Sequence, residues 1–394
     1  MGTKNYDSAT DMITFSRASS ATFLGSNGLL QTAANNIPRI EYDAAGAVKG
    51  LLIEEARTNF VAYSEDFTNA AWNKTDTTVT PDATIAPDGT TTADLLTEGT
   101  LNSTHRVYQT VSLTGAGERT VGKYVKYIDA QWCYFRLDDN AAGNAYAYFD
   151  VLNGVTGTTN TDRSTITDVG NGWYYITASL IDYKVGSNSN VLFGIASADN
   201  TPSYTGTGRA IYVWGAQLEL GSFASSYIPT SGATASRAAD VATIPTSAFG
   251  YNSGAGTVVV EASLKSSSYP NSANIVSLAD ASNTDTTRLW VWSGADSTMR
   301  WSVYEGGVDQ VDQTKPYTKD QLFSVAGAYK VNDFAISLDG SAVSTDTSGS
   351  VTSDVASLHI GTKTGGTEFM SGHIKSIQYY PRRLTNAQLQ ELTT

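Results

Sequence analysis

Two neighbouring segments, 131–137 and 145–151, alternate aromatic and apolar side chains with a period of two. This period is typical of β-strands, in which successive side chains point to opposite faces. If the two strands pair as a hairpin, six side chains share one face: Trp132, Tyr134, Arg136, Tyr146, Tyr148 and Asp150. Such a face can bind a glycan, because aromatic rings cover the apolar faces of sugars and charged groups fix their hydroxyls.

The aromatic face has a second interpretation, in which it packs against the N-terminal segment, a neighbouring subunit or a loop. Aromatic faces are common in β-sandwiches for packing alone. Trp173 and Tyr175 share the face of a further predicted strand, and they either extend the binding surface or belong to the core. The sequence leaves these alternatives open.

A second aromatic pair lies in the C-terminal third of the chain. Trp290 and Trp292 have the same parity in a predicted strand, so they share one face. In the next predicted strand Trp301 has the parity of the core, whereas Arg300 and Tyr304 point the opposite way. Trp290 and Trp292 are therefore candidates either for glycan binding or for an interface.

The motifs of common catalytic sites are missing from the sequence. There is no Gly-x-Ser-x-Gly elbow, P-loop or zinc motif. The adjacent carboxylates Glu54–Glu55 and Asp138–Asp139 would point to opposite faces in a strand, and in a turn they would be solvated. We therefore expect a binding protein and not an enzyme.

Composition limits the partners of the chain. The net charge is -13 and no cluster of Lys or Arg exists to neutralise phosphates, which argues against nucleic acid. No apolar run approaches the length of a membrane-spanning helix, so we expect no membrane insertion. The single cysteine, Cys133, excludes an intrachain disulfide.

The elements that position these residues are predicted to be strands. The chain has 394 residues, with 35 Gly, 9 Pro and only 16% charged residues, a composition that favours many short strands joined by turns. We predict an all-β fold with two tandem antiparallel β-sandwiches (jelly rolls) after a short β-rich N-terminal module. The predicted divisions are the module at 1–60, the sandwiches at 61–230 and 251–394, and an extended linker at 231–250.

Five segments of the C-terminal region carry a recognisable pattern: Val325–Tyr329, Phe334–Gly340, Ser357–Gly361, Phe369–Tyr380 and Pro381–Leu392. Their order resembles that of the laminin-G/concanavalin-A-like family. The resemblance implies a lectin-like sandwich closed by a short helix, whose first turn Thr385 can cap.

Three N-terminal segments, Ile13–Phe23, Ile37–Asp43 and Gly50–Asn59, precede Tyr63–Lys74 and Ile211–Gly221, which have the pattern of the first and last strands of a jelly roll. This order over residues 1–230 resembles that of bacteriophage virion proteins, in which a β-rich leader precedes a carbohydrate-binding-module-like jelly roll. The resemblance implies a virion protein.

Both resemblances imply that a structural Ca²⁺ is possible, although no motif requires a cofactor. The carboxylates at the positions where such modules hold the ion are Glu65, Asp66, Glu219, Asp280 and Asp285. No spaced ligand set of the EF-hand type exists, and solvated surface carboxylates are the other interpretation.

Taken together, the sequence predicts a phage structural protein of the fibre, spike or receptor-binding type that recognises host surface polysaccharide. Its leader would bind other virion proteins, and resemblance to phage adhesins implies a homo-oligomer, specifically a trimer. It would be made in the bacterial host cytoplasm and located in the virion. The alternative is a non-adhesive virion component, such as a capsid decoration or baseplate protein, and a polysaccharide lyase or hydrolase subunit is a third possibility.

Overall fold

The computed structural model consists almost entirely of antiparallel strands, which confirms the predicted all-β fold. In the described part of the chain the two helices have four and seven residues, and neither is long enough to span a membrane. The structure describes residues 12–113, 117–139, 143–183, 189–265, 272–292, 297–318, 320–352 and 354–394.

We define the leader as residues 1–60, and its described part, residues 12–60, contains six short strands. They are β1 (Thr14–Ser16), β2 (Ala21–Leu24), β3 (Leu30–Ala33), β4 (Ile40–Tyr42), β5 (Val48–Ile53) and β6 (Arg57–Asn59).

The middle sandwich is built from thirteen strands among the described residues 73–220. They are β7 (Asn73–Thr75), β8 (Thr77–Thr84), β9 (Ala93–Glu98), β10 (Asn102–Val111), β11 (Gly117–Tyr127), β12 (Trp132–Asp139), β13 (Gly143–Asp150), β14 (Val155–Thr159), β15 (Arg163–Gly170), β16 (Trp173–Tyr183), β17 (Ser189–Ala196), β18 (Ser203–Thr205) and β19 (Ala210–Leu220). One sheet has the order β14-β13-β12-β17-β10-β18, with β7 also paired to β10, and the other has the order β15-β16-β11-β19-β9-β8.

The remaining elements follow residue 230. They are β20 (Ala235–Arg237), β21 (Val241–Pro245), α1 (Thr246–Phe249), β22 (Ala255–Leu264), β23 (Ser272–Ala279), β24 (Thr286–Trp292), β25 (Thr298–Glu305), β26 (Val308–Pro316), β27 (Leu322–Lys330), β28 (Phe334–Leu338), β29 (Ser344–Asp346), β30 (Ser357–Ile360), β31 (Gly372–Tyr380) and α2 (Asn386–Leu392). The C-terminal sandwich has one sheet of order β1-β21-β30-β23-β24-β25-β26 and a second of order β29-β28-β27-β22-β31-β5-β4.

Three strands in the described part of the leader thus belong to the C-terminal sandwich. This arrangement differs from the prediction of the leader as a separate module. Strand β1 pairs with β21, and β5 pairs with both β4 and β31. The pairing has a hydrophobic cause, because Leu51 and Ile53 of β5 lie in the core of the C-terminal sandwich. Residues 231–250, predicted as an extended linker, contain β20, β21 and α1. The division into independently folding domains stays a prediction.

Each sandwich has one sheet whose outer face is covered. In the middle sandwich the sheet containing β11, β16 and β19 packs Trp173 and Trp214 against Leu30 of the leader. In the C-terminal sandwich α2 buries Leu389 against the sheet containing β22 and β27. Thr385 caps this helix in a reciprocal capping box with Gln388, as the sequence predicted. The other sheet of each sandwich carries one of the predicted aromatic faces.

A buried ionic cluster joins the leader to the start of the C-terminal region. Asp240 forms ion pairs with Arg17 at 3.0 Å and Arg39 at 2.6 Å, and Glu54 pairs with Arg39 at 3.0 Å and Arg237 at 3.1 Å. Burial alone would raise the pKa of Glu54, but the surrounding cations hold it well below its usual value. A buried carboxylate is tolerated only when it is paired in this way, so the cluster fixes how these segments meet.

Candidate functional site

The outer face of the sheet containing β24 and β25 carries the second predicted aromatic pair. Trp290 lies opposite Arg300, and Trp292 lies opposite Thr298, in the antiparallel register. The alternate side chains of these two strands face inward, as shown by Trp301, which is fully buried in the core. The predicted parity of both strands is therefore confirmed. We call the outer surface formed by Arg288, Trp290, Trp292, Arg300, Asp312 and Glu368 the tryptophan face.

Arginine and tryptophan side chains alternate across the tryptophan face. The Arg288 guanidinium lies 4.4 Å from the centroid of Trp290, and that of Arg300 lies 5.3 Å from Trp290 and 5.7 Å from Trp292. The two indole rings are 5.9 Å apart and meet edge to face at 83°. These cation–π and edge-to-face contacts hold the four side chains in fixed positions relative to one another.

The neighbouring strand β26 fixes the side chains of Trp290 and Arg300 through Asp312. The Trp290 indole N–H donates to the Ser302 hydroxyl at 2.8 Å, and Ser302 donates to Asp312 at 3.0 Å. Asp312 also forms an ion pair with Arg300. The carboxylate therefore orients both a cation and a hydroxyl, and its side chain keeps 31% exposure.

Glu368, which lies in the loop before β31, fixes the Arg288 end of the row. Its carboxylate accepts from Arg288 at 3.0 Å and from the Asn274 side-chain amide at 2.7 Å. Lys363 lies 3.5 Å from its second oxygen. Glu368 is one-quarter exposed, so the face offers two acceptors, Glu368 beside Arg288 and Asp312 beside Arg300.

Exposure distinguishes the residues that can touch a ligand from those that support them. Trp292 is 36% exposed, whereas Trp290 is 6% exposed beneath its arginine neighbours. Arg300 has 26% side-chain exposure. A flat aromatic ring beside a guanidinium, on a face that also carries two carboxylates, suits a pyranose, whose C–H face can stack while its hydroxyls bind the charged groups.

The first predicted aromatic face lies on the sheet containing β12 and β13, which pair as the expected hairpin. The register places Trp132 opposite Asp150 and Tyr134 opposite Tyr148. Arg136 lies opposite Tyr146 in the same ladder. Residues of the other parity, Cys133, Phe135 and Leu137, are buried in the core of the middle sandwich. We call the surface formed by Tyr108, Trp132, Tyr134, Tyr146 and Tyr148 the tyrosine face.

The rings of the tyrosine face bury one another. Tyr134 and Tyr148 stack at 5.3 Å with an angle of 24° and are only 2% and 3% exposed. Tyr134 lies flat on the sheet because Gly194 has no side chain, and a Cβ there would stand 2.5 Å from the ring. Burial raises the pKa of Tyr148 to about 12. Trp132 and Tyr146 at the margin are half-buried.

Asp150 is the predicted polar end of the tyrosine face. Its carboxylate is engaged in hydrogen bonds to neighbouring residues, most of them in the turn that follows it. One oxygen accepts from the backbone N–H groups of Leu152 and Asn153, and the other accepts from the side chains of Gln131 and Asn153. Burial alone would raise the pKa of Asp150, but these hydrogen bonds lower it. Its carboxylate thus closes the turn after β13.

The first three carboxylates proposed for Ca²⁺ are hydrogen-bonded separately. Glu65 accepts from the Tyr227 hydroxyl at 2.9 Å, and burial raises its pKa. Asp66 accepts from backbone N–H groups of its own turn. Glu219 is buried and accepts from Ser225, and burial raises its pKa as well. These three groups support the chain around them.

Asp280 and Asp285 lie in one turn of the C-terminal sandwich. Asp280 accepts from the hydroxyls of Ser282 and Thr284, and Asp285 accepts from the backbone N–H of Gly306 at 2.7 Å. Within the described ranges no group of three or more His, Cys, Asp or Glu side chains is arranged to hold a metal ion. A structural Ca²⁺ stays a prediction.

The sequence did not identify the two carboxylates of the tryptophan face, Asp312 and Glu368, or their hydrogen-bond partners Ser302 and Asn274. Strand parity could have found Ser302 and Asp312, because each has the outward parity of its strand and lies opposite a partner on this face. Glu368 lies in an irregular loop and comes from 80 residues beyond its partner Arg288, so no local pattern indicates it.

Comparison with known proteins supports the lectin-like prediction for this region. Residues 236–390 match the family described as the Concanavalin A-like lectin/glucanases superfamily. The lectin-like domain predicted at the C-terminus is thereby confirmed. The match covers less than half of the chain, and comparison with the sequences of curated proteins gives no significant match.

Three solved structures illustrate the similarity. The Ruminococcus gnavus IT-sialidase CBM40, bound to α2,3-sialyllactose, is 16% identical and aligns 37% of this chain with 86% of its own at a TM-score of 0.33. A heptameric SAP-like pentraxin from Limulus polyphemus is 20% identical over 36% of this chain and 71% of its own (TM-score 0.28). Domains LG4–5 of the mouse laminin α1 chain are 10% identical over 83% of this chain and 92% of theirs (TM-score 0.26).

Proposed function

We propose that this chain is a carbohydrate-binding protein, with a binding and not a catalytic role, and that its C-terminal sandwich holds a glycan on the tryptophan face. One observation carries the proposal: Trp292 presents an exposed ring next to Arg300, whose position is fixed by two indoles and by Asp312. A preorganised aromatic and cationic surface binds a sugar without the entropic cost of first ordering its side chains. The lectin superfamily match over residues 236–390 supports the same function.

The biological setting we propose is a bacteriophage virion. The support is the resemblance of the leader segments Ile13–Phe23, Ile37–Asp43 and Gly50–Asn59 to those of virion proteins. In this setting the leader binds other virion proteins and the tryptophan face engages host surface polysaccharide. A homo-oligomer, which we expect to be a trimer, would multiply weak single-site binding through avidity.

The test is a binding screen of the purified full chain on an array of bacterial capsular and lipopolysaccharide glycans. We expect saturable binding to a subset of glycans that is lost in Trp292→Ala/Arg300→Ala. Because both side chains are partly exposed, the variant should keep its fold, which circular dichroism verifies.

Trp132→Ala/Tyr146→Ala is the matched control, since it truncates two half-buried side chains of the tyrosine face. Glycan binding that survives the tryptophan-face substitutions but is lost in this control would move the site to the middle sandwich. Failure of the assembled protein to bind any array glycan would favour the alternative of a non-adhesive virion component.

A further inference from the structure

A cavity of about 450 Å³, which shares no lining residue with either aromatic face, lies between the leader and the covered face of the middle sandwich. Its volume falls in the range of roughly 300–1,000 Å³ that is usual for small-molecule sites. One wall comes from the leader and the other from strands of the middle sandwich. Residues that line it include Phe23, Leu30, Tyr42, Thr165, Thr167 and Tyr175.

The walls of this cavity are fixed to each other by hydrogen bonds. On the leader side, Leu30 donates from its backbone to the Pro87 carbonyl at 2.9 Å, and the Thr22 hydroxyl donates to the Tyr227 carbonyl at 2.6 Å. Glu41, at the rim, accepts from His373 of β31 at 2.6 Å. Each contact joins segments distant in sequence, so the cavity is part of the folded architecture.

The floor of the cavity combines aromatic rings with hydroxyl groups. The Tyr124 and Tyr175 ring centroids are 4.6 Å apart with the rings tilted by 37°, and the Thr165 and Thr177 hydroxyls are hydrogen-bonded at 2.6 Å. Among the described residues the buried Tyr175 hydroxyl finds no hydrogen-bond partner. Thr167 is exposed at the cavity surface. Rings beside hydroxyls suit a ligand with both an apolar face and hydroxyl groups of its own.

The charged groups that line the cavity are already paired within the chain. The carboxylates of Asp43 and Asp168 accept hydrogen bonds from backbone N–H groups of their own turns. Burial alone would raise the pKa of Glu41, but the hydrogen bond from His373 and the charge of Lys49 lower it, so Glu41 is a carboxylate with partners. The cations and their partners are Lys49 with Glu41 (3.0 Å), Arg163 with Asp320 (2.9 Å) and Lys265 with Glu54 (3.4 Å).

We infer that this cavity is a second binding site, for a neutral mono- or disaccharide. A charged ligand would have to compete with the ion pairs at the rim, whereas a neutral sugar can stack on the rings and exchange hydrogen bonds with the floor hydroxyls. This site is independent of the proposed glycan site on the tryptophan face, because it shares no residue with that face.

The test is isothermal titration of the full chain with glucose, galactose, N-acetylglucosamine, maltose and lactose, and with glucuronic acid as the charged comparator. We expect at least one neutral sugar to bind, and Thr167→Arg to weaken it by at least about tenfold by filling the cavity. Tyr42→Ala, which removes part of the opposite wall, should weaken it as well.

Two controls separate this site from other effects. Thr80→Arg changes an exposed threonine on the opposite edge strand of the same sheet and should leave binding unchanged. Trp292→Ala should also leave it unchanged, so loss of binding in that variant would assign the sugar to the tryptophan face. Absence of binding by every neutral sugar, equal binding in Thr167→Arg, or preference for glucuronic acid would each overturn the inference.

Discussion

The two aromatic faces were equivalent in the sequence but differ in how their rings are packed. On the tyrosine face Tyr134 and Tyr148 stack on each other and are almost completely buried. On the tryptophan face the two indoles meet edge to face with arginines packed beside them, and Trp292 stays exposed. Aromatic composition therefore does not by itself indicate a ligand site. The packing of each ring against its neighbours decides whether the ring is buried or faces the solvent.

The largest effect that separates the two faces should be on stability. Tyr134→Ala removes a buried ring and should lower the free energy of unfolding by about 3–5 kcal/mol, as large-to-small core substitutions do. Trp292→Ala removes a more exposed ring and should cost less than about 1 kcal/mol. Chemical denaturation of both variants measures the difference. Equal losses in the free energy of unfolding would contradict the difference in packing between the two faces.

The next effect should be on glycan affinity, and in the opposite direction. Trp292→Ala should weaken binding of an array-selected glycan by about 2 kcal/mol, the scale of an aromatic hot spot. Trp132→Ala, on the tyrosine face, should leave the affinity unchanged. Isothermal titration compares the two. The comparison fails if Trp132→Ala produces the larger loss.

A smaller effect should come from Arg300, the cation that lies over both indoles. Arg300→Lys keeps the charge near Asp312 but loses the planar guanidinium that stacks on Trp290 and Trp292. We expect affinity to fall by about 1 kcal/mol. Lys315→Arg, on the neighbouring strand β26, serves as a control for general charge effects, and both are measured by titration with the same glycan.

The smallest effect at neutral pH should be that of Tyr148→Phe, which keeps the ring and removes the hydroxyl. Because burial raises the pKa of Tyr148 to about 12, the unfolded chain loses this proton first as pH rises above about 10. Folding stability should therefore fall between about pH 10 and 12, and less steeply in Tyr148→Phe. Denaturation curves across this interval measure the two slopes, and equal slopes would contradict a buried phenol.

Strand parity predicted the part of each site that depends on local sequence. It placed Trp290 with Trp292 and Trp132 with Tyr134 on outer faces, because the period of two is set by backbone geometry alone. The burial of Tyr134 could not be predicted in this way, since it depends on Gly194 in a strand that pairs from a distance.

Long-range pairing also explains why the predicted domain organisation did not include leader strands in the C-terminal sandwich. Strand β5 joins β31 more than 300 residues later, a contact that local composition does not encode. The same holds for Glu368 and Arg288, which only the folded sheet brings together. Prediction from sequence is strongest within one strand and weakest where distant segments form a shared sheet or cavity.

The most direct measurement is fluorine NMR of the protein labelled with fluorotryptophan, titrated with the glycan selected by the array. The chain has seven tryptophans, and substitution to phenylalanine one at a time assigns each resonance. Binding on the tryptophan face predicts that the resonances of Trp292 and Trp290 shift with saturation while that of Trp132 stays in place. A shift of Trp132 without any change at Trp292 would contradict the central claim.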